Sequence, residues 1–139
     1  MTDRKIYITE YDMRRLEESF NITPYLTGKN RQYYESLQEK LDCAEIVDPK
    51  DIPENIITMN SLIRLKDLDS GEEKTYWLVF PDKTEAFQQA LLSVLAPIGT
   101  ALLGHKEGDI IEWNTTRGTR KYSVTEVVYQ PERIGNYEL

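Results

Sequence analysis

The sequence predicts an α+β fold: a short antiparallel helical hairpin, or coiled-coil arm, followed by an antiparallel β-sheet domain with one short helix. In the first third of the chain, apolar residues recur at spacings of three and four, which is typical of one face of a helix. In the remainder, apolar and polar residues alternate and β-branched side chains are common, which is typical of strands. We place the boundary near Val47, so that residues 1–47 form the arm and residues 48–139 the β-sheet domain.

The first helix of the arm is predicted from its cap and its periodicity. Thr9 and Asp12 have the spacing of a capping box, with Asp12 in place of the usual glutamate. The helix must end within residues 21–29, because this run contains Pro24 and Gly28. Its apolar face is formed by Met13, Leu16 and Phe20.

The second helix of the arm has the same period. Its apolar residues are Tyr34, Leu37, Leu41 and Ala44. Two short amphipathic helices joined by a tight polar loop are typical of an antiparallel hairpin whose apolar stripes face each other. At a rise of 1.5 Å per residue, helices of about 11–15 residues give an arm only ~16–22 Å long.

Five strands are predicted in the second part of the chain, because short runs of apolar and β-branched residues alternate there with turn residues. We assign them to residues 55–65, 74–80, 91–95, 110–113 and 121–129. A turn at residues 69–71 makes the first two strands a hairpin. A single turn of helix opens at Pro49, and a short helix covers residues 97–103 and is ended by Gly104.

The composition excludes some classes of partner. The formal net charge is −7, whereas a nucleic-acid-binding surface needs a surplus of Lys and Arg. Cys43 is the only cysteine, so an intrachain disulfide is excluded and a reducing compartment is expected. The first residues lack the apolar core of a signal peptide, and no apolar run approaches the ~20 residues that span a bilayer. We therefore expect a cytoplasmic protein without direct sequence-specific binding to nucleic acid and without a membrane partner.

No catalytic, cofactor-binding or metal-binding residues are predicted. His105 is the only histidine, and together with the distant Cys43 it cannot supply the clustered ligands of a metal site. We expect His105 to be a surface residue just after a helix cap. The glycines of residues 99–108 lack the Lys-Ser/Thr pair of a phosphate-binding loop. The sequence therefore indicates a protein that is not an enzyme and that works by binding another protein.

Four segments resemble the GreA/GreB family of transcription elongation factors, and in particular its Rnk branch, the regulators of nucleoside diphosphate kinase. They are ITMNSL at 57–62, SVLAPIGTALLG at 93–104, Gly-Asp at 108–109 and YQPERIGNYEL at 129–139. The resemblance covers nearly all of residues 48–139 and extends more loosely to residues 1–47. It implies an FKBP-like fold for residues 48–139. It also implies docking on bacterial RNA polymerase, near the rim of the secondary channel and in competition with Gre factors.

The segment at 93–97 departs from the Gre pattern in a way that bears on polymerase binding. Gre factors carry Ser-x-Asn/Asp-Ser-Pro there, and the polar residues of this loop help to grip the polymerase. In this chain Leu95 and Ala96 stand at the Asn/Asp and second Ser positions, while Pro97 is kept. The resemblance thus implies apolar polymerase-binding residues: Leu95, Ala96, Pro97 and Ile98. Core packing is the alternative interpretation of these four residues, since apolar side chains at a strand-to-helix junction are usually buried.

The predicted tip of the arm also differs from that of the Gre factors. They have a longer coiled coil whose acidic tip holds a catalytic Mg²⁺ in the polymerase active site. Residues 21–29 contain no Asp or Glu, and hard cations prefer carboxylate ligands. We therefore expect no stimulation of transcript cleavage.

Two other functions stay open at this point. An FKBP-like fold raises the alternative of a peptidyl-prolyl isomerase or chaperone, whose site would be an aromatic-lined pocket. Its candidate lining residues are Tyr76, Trp77, Phe80, Phe87 and Trp113. The name of the Rnk branch suggests a direct or indirect link to nucleoside diphosphate kinase, although no residue of the sequence argues for direct contact.

Overall fold

A computed structural model describes residues 6–19, 28–80, 91–115 and 118–135. It confirms a mixed fold of helices and strands. In chain order the elements are β1 (Tyr7–Thr9), α1 (Glu10–Ser19), α2 (Gly28–Asp42), β2 (Glu45–Val47), β3 (Leu62–Asp67), β4 (Glu73–Val79), β5 (Leu91–Ser93), α3 (Pro97–Leu102), β6 (Ile110–Thr115) and β7 (Gly118–Tyr129). Short 3₁₀ turns lie at Pro49–Asp51 and Pro131–Ile134. The first of these is the helical turn predicted at Pro49.

The main sheet has the strand order β5-β4-β3-β7-β6. The prediction of a wholly antiparallel sheet is wrong for its first pair, because β4 and β5 run parallel. Parallel neighbours need a crossover connection instead of a tight turn, and no local sequence signal distinguishes the two. The register between β3 and β7 shifts twice, and such irregularities bend and twist a sheet.

Strand β3 begins at Leu62, seven residues later than the predicted start at residue 55. The preceding residues instead make a tight turn from Thr58 to Ser61, in which the Ser61 N–H donates to the Thr58 carbonyl at 3.2 Å. Asn60 has a φ of 66°, a left-handed conformation that asparagine tolerates better than most residues. The alternating pattern therefore runs through a turn as well as a strand, which periodicity alone cannot reveal.

The N-terminal segment, residues 6–47, is not purely helical as predicted. Strands β1 and β2 frame the two helices and pair with each other in parallel, with Tyr7 opposite Glu45. Strands of three residues are too short to show a period. The connection between α1 and α2 falls on residues 20–27, outside the described residues, so the antiparallel hairpin stays a prediction.

One hydrophobic cluster joins the N-terminal segment to residues 48–135, which we call the C-terminal segment. The leucines of the predicted apolar stripes are buried, since Leu16 and Leu37 are both 0% exposed and Leu41 is 2% exposed. Met13 and Ala44 are half-buried, and Phe20 lies outside the described residues. They pack in the same cluster as residues of the sheet and of α3, including Ile57, Ile63, Leu78, Leu102 and Val124. Both helices thus bury their apolar faces in a core that they share with the sheet.

Helix α3 matches its prediction and defines the loop before it. The predicted strand at 91–95 ends at Ser93, so residues 95–98 lie in the turn into α3 and in its first positions. We call residues 95–98 the 95–98 loop. After α3, Gly104 has a φ of 86°, and a Cβ atom at this position would lie 3.0 Å from the Cβ of Ile6. Glycine is therefore required for both the helix stop and the contact with β1.

Candidate protein-interaction site

The 95–98 loop combines exposed and partly buried apolar surface. Pro97 is exposed, whereas Leu95, Ala96 and Ile98 are half-buried. Leu95 and Ile98 pack against the edge of the hydrophobic cluster, so the core interpretation holds in part for these two residues. Part of each side chain still faces solvent, so the loop presents a small apolar surface that a partner can bury.

The loop is held rigidly to α3 by short contacts. The Leu95 N–H donates to the Ser93 hydroxyl at 3.1 Å, and the Thr100 hydroxyl donates to the Val94 carbonyl. A Cβ atom at Gly99 would lie 2.0 Å from the Ser93 carbonyl oxygen, so only glycine lets the helix approach the strand end so closely. The loop and the helix therefore behave as one unit.

Lys40, in the last turn of α2, binds the other end of α3. Its ammonium donates to the carbonyl oxygen of Thr100 at 2.7 Å and to that of Ala101. The last carbonyls of a helix have no partner within the helix and carry partial negative charge, so a cation there is favourable. Burial lowers the pKa of Lys40 to about 7, while the two carbonyl acceptors favour the ammonium form.

Asp12 attaches α1 to the C-terminal segment. The predicted capping box is half right: the Asp12 N–H donates to the Thr9 hydroxyl at 3.0 Å, as a cap requires. The carboxylate does not return to Thr9. It accepts instead from the Met59 N–H at 3.1 Å, inside the tight turn that precedes β3.

A second buried carboxyl group, that of Glu132, binds the same turn. Glu132, in the 3₁₀ turn after β7, accepts from the Thr58 hydroxyl at 2.8 Å. The Thr58 and Ser61 hydroxyls are 2.9 Å apart, so Ser61 can donate to Thr58 while Thr58 donates to Glu132. Asp12 is 2% exposed and Glu132 is 8% exposed. Two acidic side chains therefore converge on one turn from α1 and from the end of the sheet.

The two buried carboxyl groups favour their protonated forms. The pKa of Asp12 is raised to about 7, mainly by burial and then by the charge of Glu132, against smaller opposing effects of the Met59 N–H and of Arg15. Burial also raises the pKa of Glu132, against the lowering effect of the Thr58 hydroxyl. Because like charges in a buried site repel each other, the first proton bound by the pair relieves both desolvation and repulsion.

Arg15 adds a third attachment of α1. Its guanidinium carbon lies 4.1 Å from the ring centroid of Phe80 and 5.4 Å from that of Tyr11. A cation over an aromatic face within about 6 Å is stabilising by roughly 0.5–2 kcal/mol. Phe80 is thus covered by α1.

The aromatic residues proposed for an isomerase pocket do not converge in the described structure. Phe80 lies beneath Arg15, and Trp77 packs edge-on against Tyr129 with ring centroids 5.6 Å apart. Tyr76 lies on the face of β4 opposite to that of Trp77. It lines a cavity of about 160 Å³ together with Asp67 and Arg120, which form an ion pair. Phe87 and the side chain of Trp113 lie outside the description. Successive strand residues face opposite sides, so Tyr76 and Trp77 cannot line one pocket.

His105 is less exposed than predicted. Its Nδ1 lies 3.1 Å from the Asp109 carboxylate, and its side chain is 18% exposed. The cause is the turn at Gly108, whose φ of 89° folds the chain back toward the ring. Within the four described ranges, no group of three or more His, Cys, Asp or Glu residues is placed to hold a metal ion. No helix in those ranges is long and apolar enough to cross a membrane.

The sequence of the C-terminal segment identifies the family. The family model of the C-terminal domain of the transcription elongation factors GreA and GreB matches residues 52–129. The chain belongs to the GreA/GreB family. The match includes the 95–98 loop and the turn that binds Asp12, but it excludes α1 and α2.

Individual relatives agree with this assignment. The regulator of nucleoside diphosphate kinase from Escherichia coli (strain K12) is 40% identical over 107 residues, which are 76% of this chain and 77% of that protein. GreA from Maridesulfovibrio salexigens is 31% identical over 67% of this chain but only 58% of its own length. The solved structure of a GreA/GreB transcription elongation factor from Nitrosomonas europaea has a TM-score of 0.73 and 36% identity, and covers 90% of this chain and all of that one. None of these relatives supports the prolyl isomerase alternative.

Sequence reasoning missed three ionisable residues that attach the helices and the C-terminal 3₁₀ turn: Asp12 and Glu132, which are buried, and Lys40, which is half-buried. Asp12 was assigned only to a cap, and neither Lys40 nor Glu132 was singled out. A signal was present in the periodicity. Asp12 precedes Leu16 by four residues and Lys40 follows Leu37 by three, so both lie on or beside the apolar face of their helix. A charged residue on such a face must either reach out of the core or bind a buried partner.

Proposed function

We propose that this protein binds bacterial RNA polymerase and regulates transcription, docking near the rim of the secondary channel in competition with Gre factors. Membership of the GreA/GreB family supports the choice of partner. The observation that carries the site is the 95–98 loop, where half-buried Leu95 and Ala96 stand at the polar positions of Gre factors, next to exposed Pro97. Such an activity belongs to the cytoplasm. Residues 48–139 would supply the docking domain and residues 1–47 the arm.

An apolar loop can anchor such a contact energetically. Burying a leucine or isoleucine side chain against a partner gains ~1.5–3 kcal/mol, and interface energy usually concentrates in a few such residues. Because Leu95 and Ile98 are already held against the core, little conformational freedom is lost when the partner covers them. Leu95 and Ala96, at the polar positions of Gre factors, would then replace polar contacts with apolar ones, and docking would be retained.

Stimulation of transcript cleavage is not part of the proposed function. Residues 21–29 contain no carboxylate that could deliver Mg²⁺. Adding the protein to backtracked elongation complexes should leave cleavage at its intrinsic rate, and cleavage above that rate would overturn this part of the proposal. A link to nucleoside diphosphate kinase, suggested by the name of the E. coli relative, would follow indirectly from altered transcription.

The experiment that tests docking is displacement of a fluorescent GreA factor from RNA polymerase. The parent chain should displace GreA. Ala96 is the N-cap residue of α3, and its side chain makes no cap hydrogen bond, so Ala96→Asp and Ala96→Ser should both cap the helix and preserve the fold. Only Ala96→Asp places a charge in the apolar contact, and it should weaken displacement about tenfold or more, as expected for a lost contact of ~1.4 kcal/mol or more.

Two results would contradict the proposal at different levels. If the parent fails to displace GreA, the shared site is wrong. If Ala96→Asp displaces GreA as well as Ala96→Ser does, the polymerase contact lies elsewhere on the molecule. Leu95→Asp is less suitable because Leu95 contacts the core, and unfolding of that variant would report packing and not docking.

A further inference from the structure

The contact that Lys40 makes with α3 requires partial desolvation of its ammonium group, which is energetically unfavourable. Lys40 is half-buried, and within the described ranges its ammonium forms no ion pair with a carboxylate. Glu112 lines the same shallow depression beside Lys40 but is not paired with it. Removing an ammonium from water without a counter-ion is unfavourable. What compensates Lys40 is the pair of carbonyl oxygens at the end of α3.

These two carbonyls belong to the helix that carries the 95–98 loop. Helix α3 has six residues, Pro97–Leu102, which at 1.5 Å per residue corresponds to a length of about 9 Å. The loop leads into the other end of α3, and it is held to the helix by the Thr100 hydroxyl, which donates to the Val94 carbonyl, and by the close approach of Gly99 to Ser93. Any displacement of α2 that Lys40 transmits to the end of α3 therefore reaches the loop.

Asp12, the ionisable side chain that attaches α1, does not bind α3. Asp12 binds the Met59 N–H in the turn before β3. The two helices are thus attached to different places, α1 to this turn and α2 to α3. Only the second attachment connects an arm helix to the candidate docking loop.

We propose that Lys40 is a positioning residue that fixes the orientation of α2 relative to the 95–98 loop, and that polymerase binding requires this orientation. The proposal rests on the proposed function for its second half. A partner that contacts both the arm and the loop meets two surfaces at once, so their relative orientation determines whether both contacts form together. The amine itself does not need to touch the polymerase.

The first test measures orientation in the free protein. Spin labels are placed at Ser36→Cys in α2 and Lys121→Cys in β7, both at exposed positions, in a Cys43→Ser background. The parent should give one narrow distance distribution by pulsed electron resonance. Lys40→Met keeps the length of the side chain but cannot donate to the carbonyls, and it should broaden or shift the distribution. Lys40→Arg retains several N–H donors and should restore it.

The second test measures displacement of fluorescent GreA from polymerase by the full-length variants. Lys40→Met should displace GreA at least fivefold less well than the parent, and Lys40→Arg should recover most of the loss. Lys66→Met removes a positive charge from an exposed position of β3 and is the control for the change in net charge. Asp12→Ala removes the acceptor for the Met59 N–H and so weakens the attachment of α1; it is the control for general loosening of the N-terminal segment. Both controls should match the parent.

Each outcome decides the proposal. An unchanged distance distribution in Lys40→Met overturns it, whatever the polymerase result. Equal loss of GreA displacement in Lys40→Met and Asp12→Ala also overturns it, because the effect would then reflect loosening of the whole N-terminal segment. If the parent does not bind polymerase, the proposed function fails, while the distance measurement still decides whether Lys40 fixes α2.

Discussion

Helices α1 and α2 are each attached to the C-terminal segment by an ionisable side chain that binds backbone groups, but one side chain is acidic and the other is basic. Asp12 in α1 accepts from an N–H in a turn, whereas Lys40 in α2 donates to carbonyls at a helix end. Burial raises the pKa of Asp12 to about 7 and lowers that of Lys40 to about 7. The neutral forms of both groups are therefore favoured by folding, so the two attachments respond to pH in opposite directions.

The largest expected effect tests what the two helices share. Leu16 in α1 and Leu37 in α2 are fully buried in the common cluster, so Leu16→Ala and Leu37→Ala should each lower the free energy of unfolding by about 2–5 kcal/mol. Urea unfolding followed by circular dichroism and by tryptophan fluorescence should show one transition for both probes. Helix loss at lower urea than the change around Trp77 would show that the helices and the sheet unfold separately.

The next prediction concerns Asp12, the acidic residue that attaches α1 to the turn before β3. The folded pKa of Asp12 is raised from 3.8 to about 7, so its contribution to stability is complete below pH 4 and is lost as the pH rises through 7. Asp12→Asn keeps an acceptor for the Met59 N–H without the charge. It should therefore be more stable than the parent at pH 8, by about 2–4 kcal/mol, and little different at pH 4. A variant that is less stable than the parent at pH 8 would show that the charge itself is needed.

The basic attachment should have the opposite pH dependence. The folded pKa of Lys40 is lowered from 10.5 to about 7, so its contribution is complete above pH 10.5 and is lost as the pH falls toward 7. The difference in unfolding free energy between the parent and Lys40→Met should shift by about 1–3 kcal/mol over this range, because the carbonyl acceptors offset part of the desolvation. Lys66→Met, at an exposed position of β3, is the matched control for the loss of one lysine. If the difference in unfolding free energy between the parent and Lys40→Met stays constant from pH 7 to 10.5, the Lys40 amine is hydrated in the folded protein.

The smallest effect concerns the free end of α3. Ala96 supplies no cap to this helix, so Ala96→Ser should raise the free energy of unfolding by about 0.5–1 kcal/mol. Ala96→Gly is the matched control, since it removes the methyl group without offering a hydroxyl. No gain for Ala96→Ser would show that the backbone at residue 96 does not present the N–H groups of α3 to a side chain there.

The sequence predicted those parts of the fold that rest on local chemistry. The apolar faces of both helices, the turn at Pro49, the helix from Pro97 and its stop at Gly104 were all predicted, because each depends on residues close together in the chain. The parallel pairing of β4 with β5 and of β1 with β2 was missed, since parallel pairing depends on distant connections. The 95–98 loop was found through the resemblance to Gre factors. The periodicity places Lys40 and Asp12 on or beside the apolar faces of their helices, but it does not identify their partners, because these are backbone atoms without a sequence signature.

The most direct measurement of the central claim is site-specific photocrosslinking to RNA polymerase. Exposed Pro97 is replaced by a photoreactive phenylalanine, and the same residue at exposed Lys66 serves as the control position. The account predicts a crosslink from position 97 to polymerase at the rim of the secondary channel, lost when excess GreA is added, and no such crosslink from position 66. A crosslink that persists in excess GreA, or equal crosslinking from both positions, would contradict docking through the 95–98 loop.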